Sequence, residues 1–534
     1  MTEISLRDQP SPATWKGHWK SSVVLVFLFG IFWLWLLVST GALYSGFQLV
    51  DDHEILRIKK DLNASDSLTE TMANWISRDL SIRFRAAYYA HRILQTALFG
   101  SNFLMWHYYI ALLAVIASTL VYFVGRLISL NTVESFVLSL LIFIGPQSAI
   151  WWRLGPTETL GMVLLSASML FHGLAAKRTQ DFYALEITAF LTSLAASLTK
   201  ESFALFLPSI FFYRTLVSFY NLRISWRRAL QKNIVPGIIL TTICFVELLF
   251  IYFYVGTERI GYAGVEGLTF RKALTICFQF SQINSLWRII TVLAVFILLI
   301  GFRQPNITAP LPSWKPIAVF TILMSVSILF PQAVLYAKSG LADRYLLPGV
   351  TAYSFCFLLL FNTGRRLNLI SRTASVVFIL LVSIALARDV HYHVLPAARV
   401  YSEEARGTLN LISEIGRSTD HSSKIVIVAD PARNYEQTFA LIYYLTEEMA
   451  RPNIRIVMLF DPTTYDSRQN LICKQFEGQF RDSIVSNAAE LQTRCFVVFD
   501  GLEKLRLIRG PYLNPAIYQK RDHSIATTFC RGGS

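Results

Sequence analysis

Charged side chains are scarce in this sequence. Asp, Glu, Lys and Arg make up 16% of its 534 residues, where a soluble domain carries about 25%. With 54% of residues hydrophobic, the chain has too little polar surface for a string of soluble domains. Cysteine is sparse as well: six residues and no CxxC pair, which speaks against a zinc or redox motif. Tandem repeats, low-complexity tracts and glycine-rich phosphate loops are missing. No basic run is interleaved with aromatics, so the net charge of +14 does not describe a nucleic-acid surface, and nucleic acid is not an expected partner.

Apolar runs of about 20 residues are abundant, each long enough to cross a bilayer. Eleven membrane segments are predicted, at roughly 22–44, 103–123, 133–151, 159–176, 183–198, 202–218, 234–255, 286–302, 316–336, 345–362 and 373–388. The first run follows about 20 mostly polar residues and exceeds the core of a signal peptide, so it is expected to stay as an anchor. A break is expected near Thr199-Lys200-Glu201, of the kind tolerated at membrane depth where it lines a cavity. The predicted fold class is a polytopic α-helical membrane protein with a small C-terminal α/β extracytoplasmic domain. Residues 1–21 form a cytoplasmic N-terminus, 22–395 the transmembrane domain with a first outer loop at 45–102, and 396–534 the outer domain.

Sidedness follows from the basic residues. With a cytoplasmic N-terminus, Lys16, Lys20, Arg126, Lys177, Arg178, Arg214, Arg223, Arg227, Arg228, Lys232, Arg303, Lys315, Arg365, Arg366 and Arg372 all fall inside, as the positive-inside rule requires. The outer side then receives the acidic and unusual polar motifs. In the first loop, 51–70 is polar and acidic, while 78–100 has apolar residues at helical spacing and reads as an interfacial helix. After residue 400, apolar runs at 424–430, 454–461 and 495–500 read as buried strands, each ending in Asp, with helices at 401–417 and 435–450. This domain is too small for a sugar-nucleotide transferase, and an accessory, substrate-guiding or packing role is expected. A Cys473–Cys495 disulfide is open to it, with Cys530 left over.

Four stretches carry candidate chemistry. Asp51-Asp52-His53-Glu54 follows the first segment. A carboxylate there can take an acceptor proton, its pKa tuned by its neighbours. Asp51, Asp52 and Glu54 could also hold a divalent cation such as Mg or Mn; no cofactor is fixed by the sequence. Arg153 and Glu158 flank the turn at Gly155-Pro156. Lys200 is a cation for a lipid-linked phosphate, positioned by Glu201. Arg344 and Tyr345 open another segment on the same side. Each stretch also has a plain structural reading, as a solvated loop, an aromatic belt, a snorkelling pair or an interface anchor.

Taken in order, these motifs resemble the GT-C glycosyltransferases, and among them the protein O-mannosyltransferase-like group. Asp51-Asp52 stand where that class keeps its catalytic acids. Phe99-Gly100-Ser101-Asn102-Phe103 with Trp106-His107 is similar to its approach to the second span. Gly155-Pro156-Thr157-Glu158 falls on Gly-Arg-x-Asp, Thr199-Lys200-Glu201 on Ser-Lys-Glu, and Asp343-Arg344-Tyr345-Leu346-Leu347-Pro348 on Glu-Arg-Tyr-x-x-x-Pro, one residue shorter. The resemblance spans about residues 20–365; Pro156 replaces the usual Arg, and the tetratricopeptide tail common in the group is missing. It implies inverting transfer of a sugar from a polyprenyl-phosphate donor to a hydroxyl of a protein, glycan or lipid acceptor on the outer face. Asp51 or Asp52 would be the base. Arg344, Lys200 or Arg153 would bind the phosphate, with His53, Glu54, Glu158, Glu201 and Tyr345 in support. A bacterial plasma membrane with a periplasmic active face is the expected location, with the endoplasmic reticulum topologically equivalent. The competing classes are a lipid-linked glycan transporter or flippase, which favours midplane polar residues and paired halves, and a non-catalytic membrane assembly subunit.

Overall fold

A computed structural model describes residues 19–50, 52–65, 67–80, 83–179, 183–255, 269–282, 314–337, 341, 343–366, 370–458, 467–485, 493, 495–499, 518–523 and 526–531. Asp51, the expected segment 286–302 and most of the 256–285 loop lie outside them.

The chain is a polytopic helical membrane protein. Eight described helical stretches are long and apolar enough to cross a bilayer: Val23–Thr40, Phe103–Leu127, Glu158–Ala176, Glu201–Leu222, Trp226–Val255, Lys315–Tyr336, Asp343–Arg366 and Arg372–Ser418. Two more of the expected segments are helical but shorter, Thr132–Phe143 and Tyr183–Ser197. Helix Thr132–Phe143 ends early because Gly145 takes φ 140°, a conformation open to glycine, and Pro146 starts a separate 3-10 turn, Pro146–Trp151. Its start is fixed by a capping box between Asn131 and Glu134.

Helices cross closely where small residues meet large ones. A Cβ on Gly161 would run into the Phe203 ring, and one on Gly173 into the Tyr213 hydroxyl. Polar groups inside the bundle pair with each other, as membrane burial demands. Arg214 is assigned by sequence to the basic inner side. Its side chain is buried within the span, where it meets Glu186 at 2.6 Å and His172 Nδ1 at 2.7 Å. The adjacent carboxylate gives this cation a reason to be inside.

The two ends of the bundle differ. At one, Arg366 donates to the Ser129 carbonyl at 2.8 Å, Arg365 meets Glu134 at 3.1 Å, Asn221 donates to the Leu127 carbonyl at 2.8 Å and Lys232 to that of Ala176 at 3.2 Å. At the other, Ala87 N donates to the Leu198 carbonyl at 3.1 Å and Arg92 to that of Leu154 at 2.5 Å. The basic connections thus gather at one end and the candidate motifs at the other.

The first loop folds into three helices, α1 His53–Ala64, α2 Leu68–Leu80 and α3 Ala86–Phe99. Ile58, Trp75, Tyr88, Tyr89 and Ile93 form their common core. On α3 the opposite face carries exposed Leu94 and Leu98, in keeping with a helix lying at the interface.

The last span does not stop at the membrane boundary. It runs unbroken from Arg372 to Ser418, 47 residues, so its outer half becomes the amphipathic helix expected at 401–417. That half, α4 Leu395–Ser418, packs under a five-stranded sheet of order β2-β1-β3-β5-β4. The strands are β1 Ile425–Ala429, β2 Ile454–Met458, β3 Cys495–Phe499, β4 Tyr518–Asp522 and β5 Ala526–Arg531. β2, β1 and β3 are parallel, and β5 and β4 continue the sheet antiparallel. The last two strands gave no strong apolar signal in the sequence because β4 is polar. β1 and β3 are buried throughout, as strands covered on both faces should be.

The disulfide expectation needs correction. Antiparallel pairing places Cys495 opposite Cys530, with Cα atoms 4.1 Å apart, and these two are bonded; Cys473 is a free, buried thiol. The outer domain also shares its core with the first loop. Phe47, Leu49 and Leu56 pack with Leu411, Phe439, Leu445 and the strands, and Lys59–Glu448 at 2.7 Å and Lys60–Glu447 at 2.9 Å bridge the same seam.

Candidate active site at the membrane boundary

The ends of three spans converge first. Glu158 opens the helix Glu158–Ala176. Lys200 sits in the break between Ser197 and Glu201, in extended conformation at φ −168° and ψ 145°. Asp343-Arg344-Tyr345-Leu346 forms a 3-10 turn leading into the helix Leu347–Arg366. Lys200 Nζ reaches Glu158 Oε1 at 2.5 Å, both side chains nearly fully buried. The same ammonium stands 4.5 Å from the centre of the Tyr345 ring, and the Arg344 guanidinium lies 5.4 Å from that ring. Tyr345 in turn stacks on Tyr336 at 4.7 Å.

Glu158, rather than only the neighbouring Glu201 expected for this role, holds the Lys200 ammonium. The extended backbone at Lys200 brings its ammonium into contact with a carboxylate 42 residues earlier in the chain. Glu201 is buried and does not line the cavity described next.

A cavity of about 570 Å³ opens over this cluster. Its membrane-side wall is Gly155, Thr157, Glu158, Lys200, Arg344 and Tyr345. Its middle is built around Glu54. Tyr88 donates to Glu54 Oε2 at 2.9 Å and Tyr89 to Oε1 at 3.1 Å. Arg85 donates to the Tyr89 hydroxyl at 2.9 Å and pairs with Asp79 at 2.8 Å. Tyr88 also reaches the Gly155 carbonyl at 3.3 Å, which ties the middle to the membrane-side wall. Burial acts to raise the Glu54 carboxyl. The charges of Arg85, His53 and Arg92 and the hydrogen bond from Tyr88 outweigh it and hold the group below its ordinary value. The outer wall is Arg57 and Trp75 from the first loop with Tyr435 and Glu436 from the outer domain.

Of the residues singled out by sequence, His53, Glu54, Glu158, Lys200, Arg344 and Tyr345 line this one cavity. Asp52 and Arg153 do not. Asp52 is buried and its carboxylate accepts from Gln48 N at 2.9 Å, bracing the turn before α1. Asp51 lies outside the described residues. Arg85, Tyr88 and Tyr89 went unremarked as site residues, although their spacing places them on one face of a helix start. Tyr435 and Glu436 had no local signal at all; only the docking of the outer domain brings them in.

Two of the three carboxylates expected to hold a divalent cation accept hydrogen bonds from within the protein. Both Glu54 oxygens accept tyrosine hydroxyls and face arginines, and the Asp52 carboxylate is turned onto the backbone. Among the described residues no group of three or more His, Cys, Asp or Glu side chains is placed to hold a metal. Compared with known protein families and with curated proteins, the chain matches none.

Proposed function

We propose that this protein is a GT-C-type membrane glycosyltransferase that moves a sugar from a polyprenyl-phosphate donor to an acceptor hydroxyl on the outer face, with inversion. The observation that carries the reading is the meeting of Glu158, Lys200, Arg344 and Tyr345 at the starts of three spans, in one cavity with Glu54. A phosphate on a membrane lipid resides at that depth. Two cations beside it favour the charge that builds up as the lipid phosphate leaves.

The step is a single displacement. The acceptor oxygen attacks the anomeric carbon, the bond from that carbon to the phosphate oxygen breaks, and the lipid phosphate leaves with the electron pair. Lys200 and Arg344 balance its charge. The acceptor proton passes to a carboxylate. Glu54 is the described acid of the 51–54 stretch that faces the cavity, and Asp51 remains a candidate for the same role. Glu158 fixes the Lys200 ammonium and leaves other N–H groups for phosphate oxygens. The basic end of the bundle supports an inner, cytoplasmic placement of that end. The site and the outer domain then face the periplasm or an equivalent lumen.

A photoreactive polyprenyl-phosphate sugar tests the assignment of the site. Crosslinks should map to the peptides around Lys200 and Arg344 and be competed by unlabelled donor. Crosslinks confined to the lipid-facing helices Trp226–Phe250 or Arg372–Asp389 would refute it.

A further inference from the structure

The outer wall of the cavity has a chemistry of its own. Arg57 projects from α1 with its guanidinium 5.2 Å from the centre of the Trp75 ring. Its charge also acts on the Tyr435 phenol, which burial pushes up and Arg57 pulls back. Arg57, held against Trp75, thus lines the same cavity wall as Tyr435 of the outer domain. Tyr435 is itself fixed by Phe439 at 4.8 Å and Phe476 at 6.1 Å. Among the described residues no carboxylate lies within ion-pair distance of Arg57. Three other cavity cations are ion-paired: Lys200 with Glu158, Arg85 with Asp79, and Arg78 with Asp61.

The sheet topology points to the same place. The parallel strands run β2-β1-β3, so β1 has its successor β2 on one side and β3 on the other. Crevices at such points are where open α/β sheets bind ligands. Here the chain leaving β1 enters the helix Pro431–Tyr443, whose Tyr435 and Glu436 line the cavity. The helix at the carboxyl end of β1 is thus the part of the outer domain that lines the membrane-side cavity.

We infer that Arg57, Tyr435 and Glu436 form an acceptor subsite for a saccharide that carries an anionic oxygen group, with Arg57 reading the anion. A planar guanidinium held against an aromatic ring suits a carboxylate or a phosphate, since it offers paired N–H donors in a fixed plane. Glu436 offers acceptors for hydroxyl groups of the same ligand, and Tyr435 an aromatic edge. The cavity then has two anion-reading ends, Lys200 with Arg344 for the donor lipid and Arg57 for the acceptor, with Glu54 between them. This assignment rests on the transferase reading for the word acceptor, but the binding it describes does not.

The test uses the full chain in lipid nanodiscs and three probes: methyl glucuronide, glucose 6-phosphate and neutral methyl glucoside. Wild type should bind a charged probe at least about tenfold more tightly than the neutral one, an expected worth of a charge-assisted contact. The stronger charged arm tells carboxylate from phosphate. Arg57→Gln should erase the preference and Arg57→Lys should restore part of it. Arg344→Gln should leave it in place. No preference in wild type, or a preference that survives Arg57→Gln or is lost instead in Arg344→Gln, overturns the subsite. Release of sugar from polyprenyl-phosphate donors by the wild type, measured alongside, reports on the transferase reading separately. Its absence with the charge preference intact sinks that reading and leaves the subsite standing.

Discussion

Lys200 and Glu158 lie 2.5 Å apart in a nearly dry setting, with side chains 4% and 6% exposed. Each comes from the start or break of a different membrane helix. An ion pair there ties two spans together and presents a fixed cation to the cavity. Removing one partner leaves the other charged and buried, which costs roughly 3–5 kcal/mol. Lys200→Met and Glu158→Gln should each lower the thermal midpoint in detergent. The double variant should be less damaged than the sum of the two. Additive losses in this cycle would mean the two side chains do not interact.

Glu54 gives the site a pH dependence with a definite sign. Its carboxyl is held below the ordinary 4.5. The stability it contributes is therefore fully present above about pH 4.5 and is lost as pH falls through its lower folded value. Limited proteolysis of the first loop should accelerate below pH 4.5 in wild type. In Glu54→Gln the rate should be higher at neutral pH and flatter toward acid. An unchanged acid response in the variant would remove Glu54 as the cause.

The shared core predicts that the outer domain is not dispensable. Phe47 is fully buried, with its ring 5.5 Å from Phe103 and 4.9 Å from Tyr444. Phe47→Ala should cost about 3–5 kcal/mol. In urea titrations it should destabilise the first loop and the outer domain together. Two separated transitions, with only one moved, would contradict a common core.

The Cys495–Cys530 bond closes a loop of 35 residues across the sheet. Its removal should destabilise the outer domain by roughly 4 kcal/mol on loop-entropy grounds. Peptide mapping should recover the Cys495–Cys530 link, and alkylation should reach Cys473 only after unfolding. Reduced Cys495 and Cys530 in protein from intact cells would argue against an oxidising compartment and thus against the proposed sidedness.

Much of this fold is legible from hydrophobic length alone. Most of the described spans stand within a few residues of the apolar runs, because a bilayer sets both length and composition, while Trp226–Val255 starts earlier and Arg372–Ser418 runs well past its apolar part. Breaks were legible where chemistry is local, as at Thr199-Lys200-Glu201. What could not be read is partnership. Lys200 stands out in the sequence as an unusual cation, but the Glu158 carboxylate that meets it is 42 residues away. Cys530 lies in β5 beside a polar strand with no apolar alternation, so its pairing with Cys495 had no signal. Asp52 and Glu54 look equivalent in the sequence. Two residues apart, they differ in role, since Asp52 braces the backbone at Gln48 and Glu54 faces Tyr88 and Tyr89.

The most direct measurement is turnover of donor. Purified wild type should release polyprenyl phosphate from at least one of the mannose, glucose or arabinose donors when given a membrane extract as the acceptor source. Arg344→Gln and Glu54→Gln, checked to be folded, should lose about 10²–10³ in rate, and Asp51→Asn would show whether a second acid shares the work. Full activity in folded Arg344→Gln and Glu54→Gln protein, or no release from any donor by the wild type, would contradict a transferase site in this cavity.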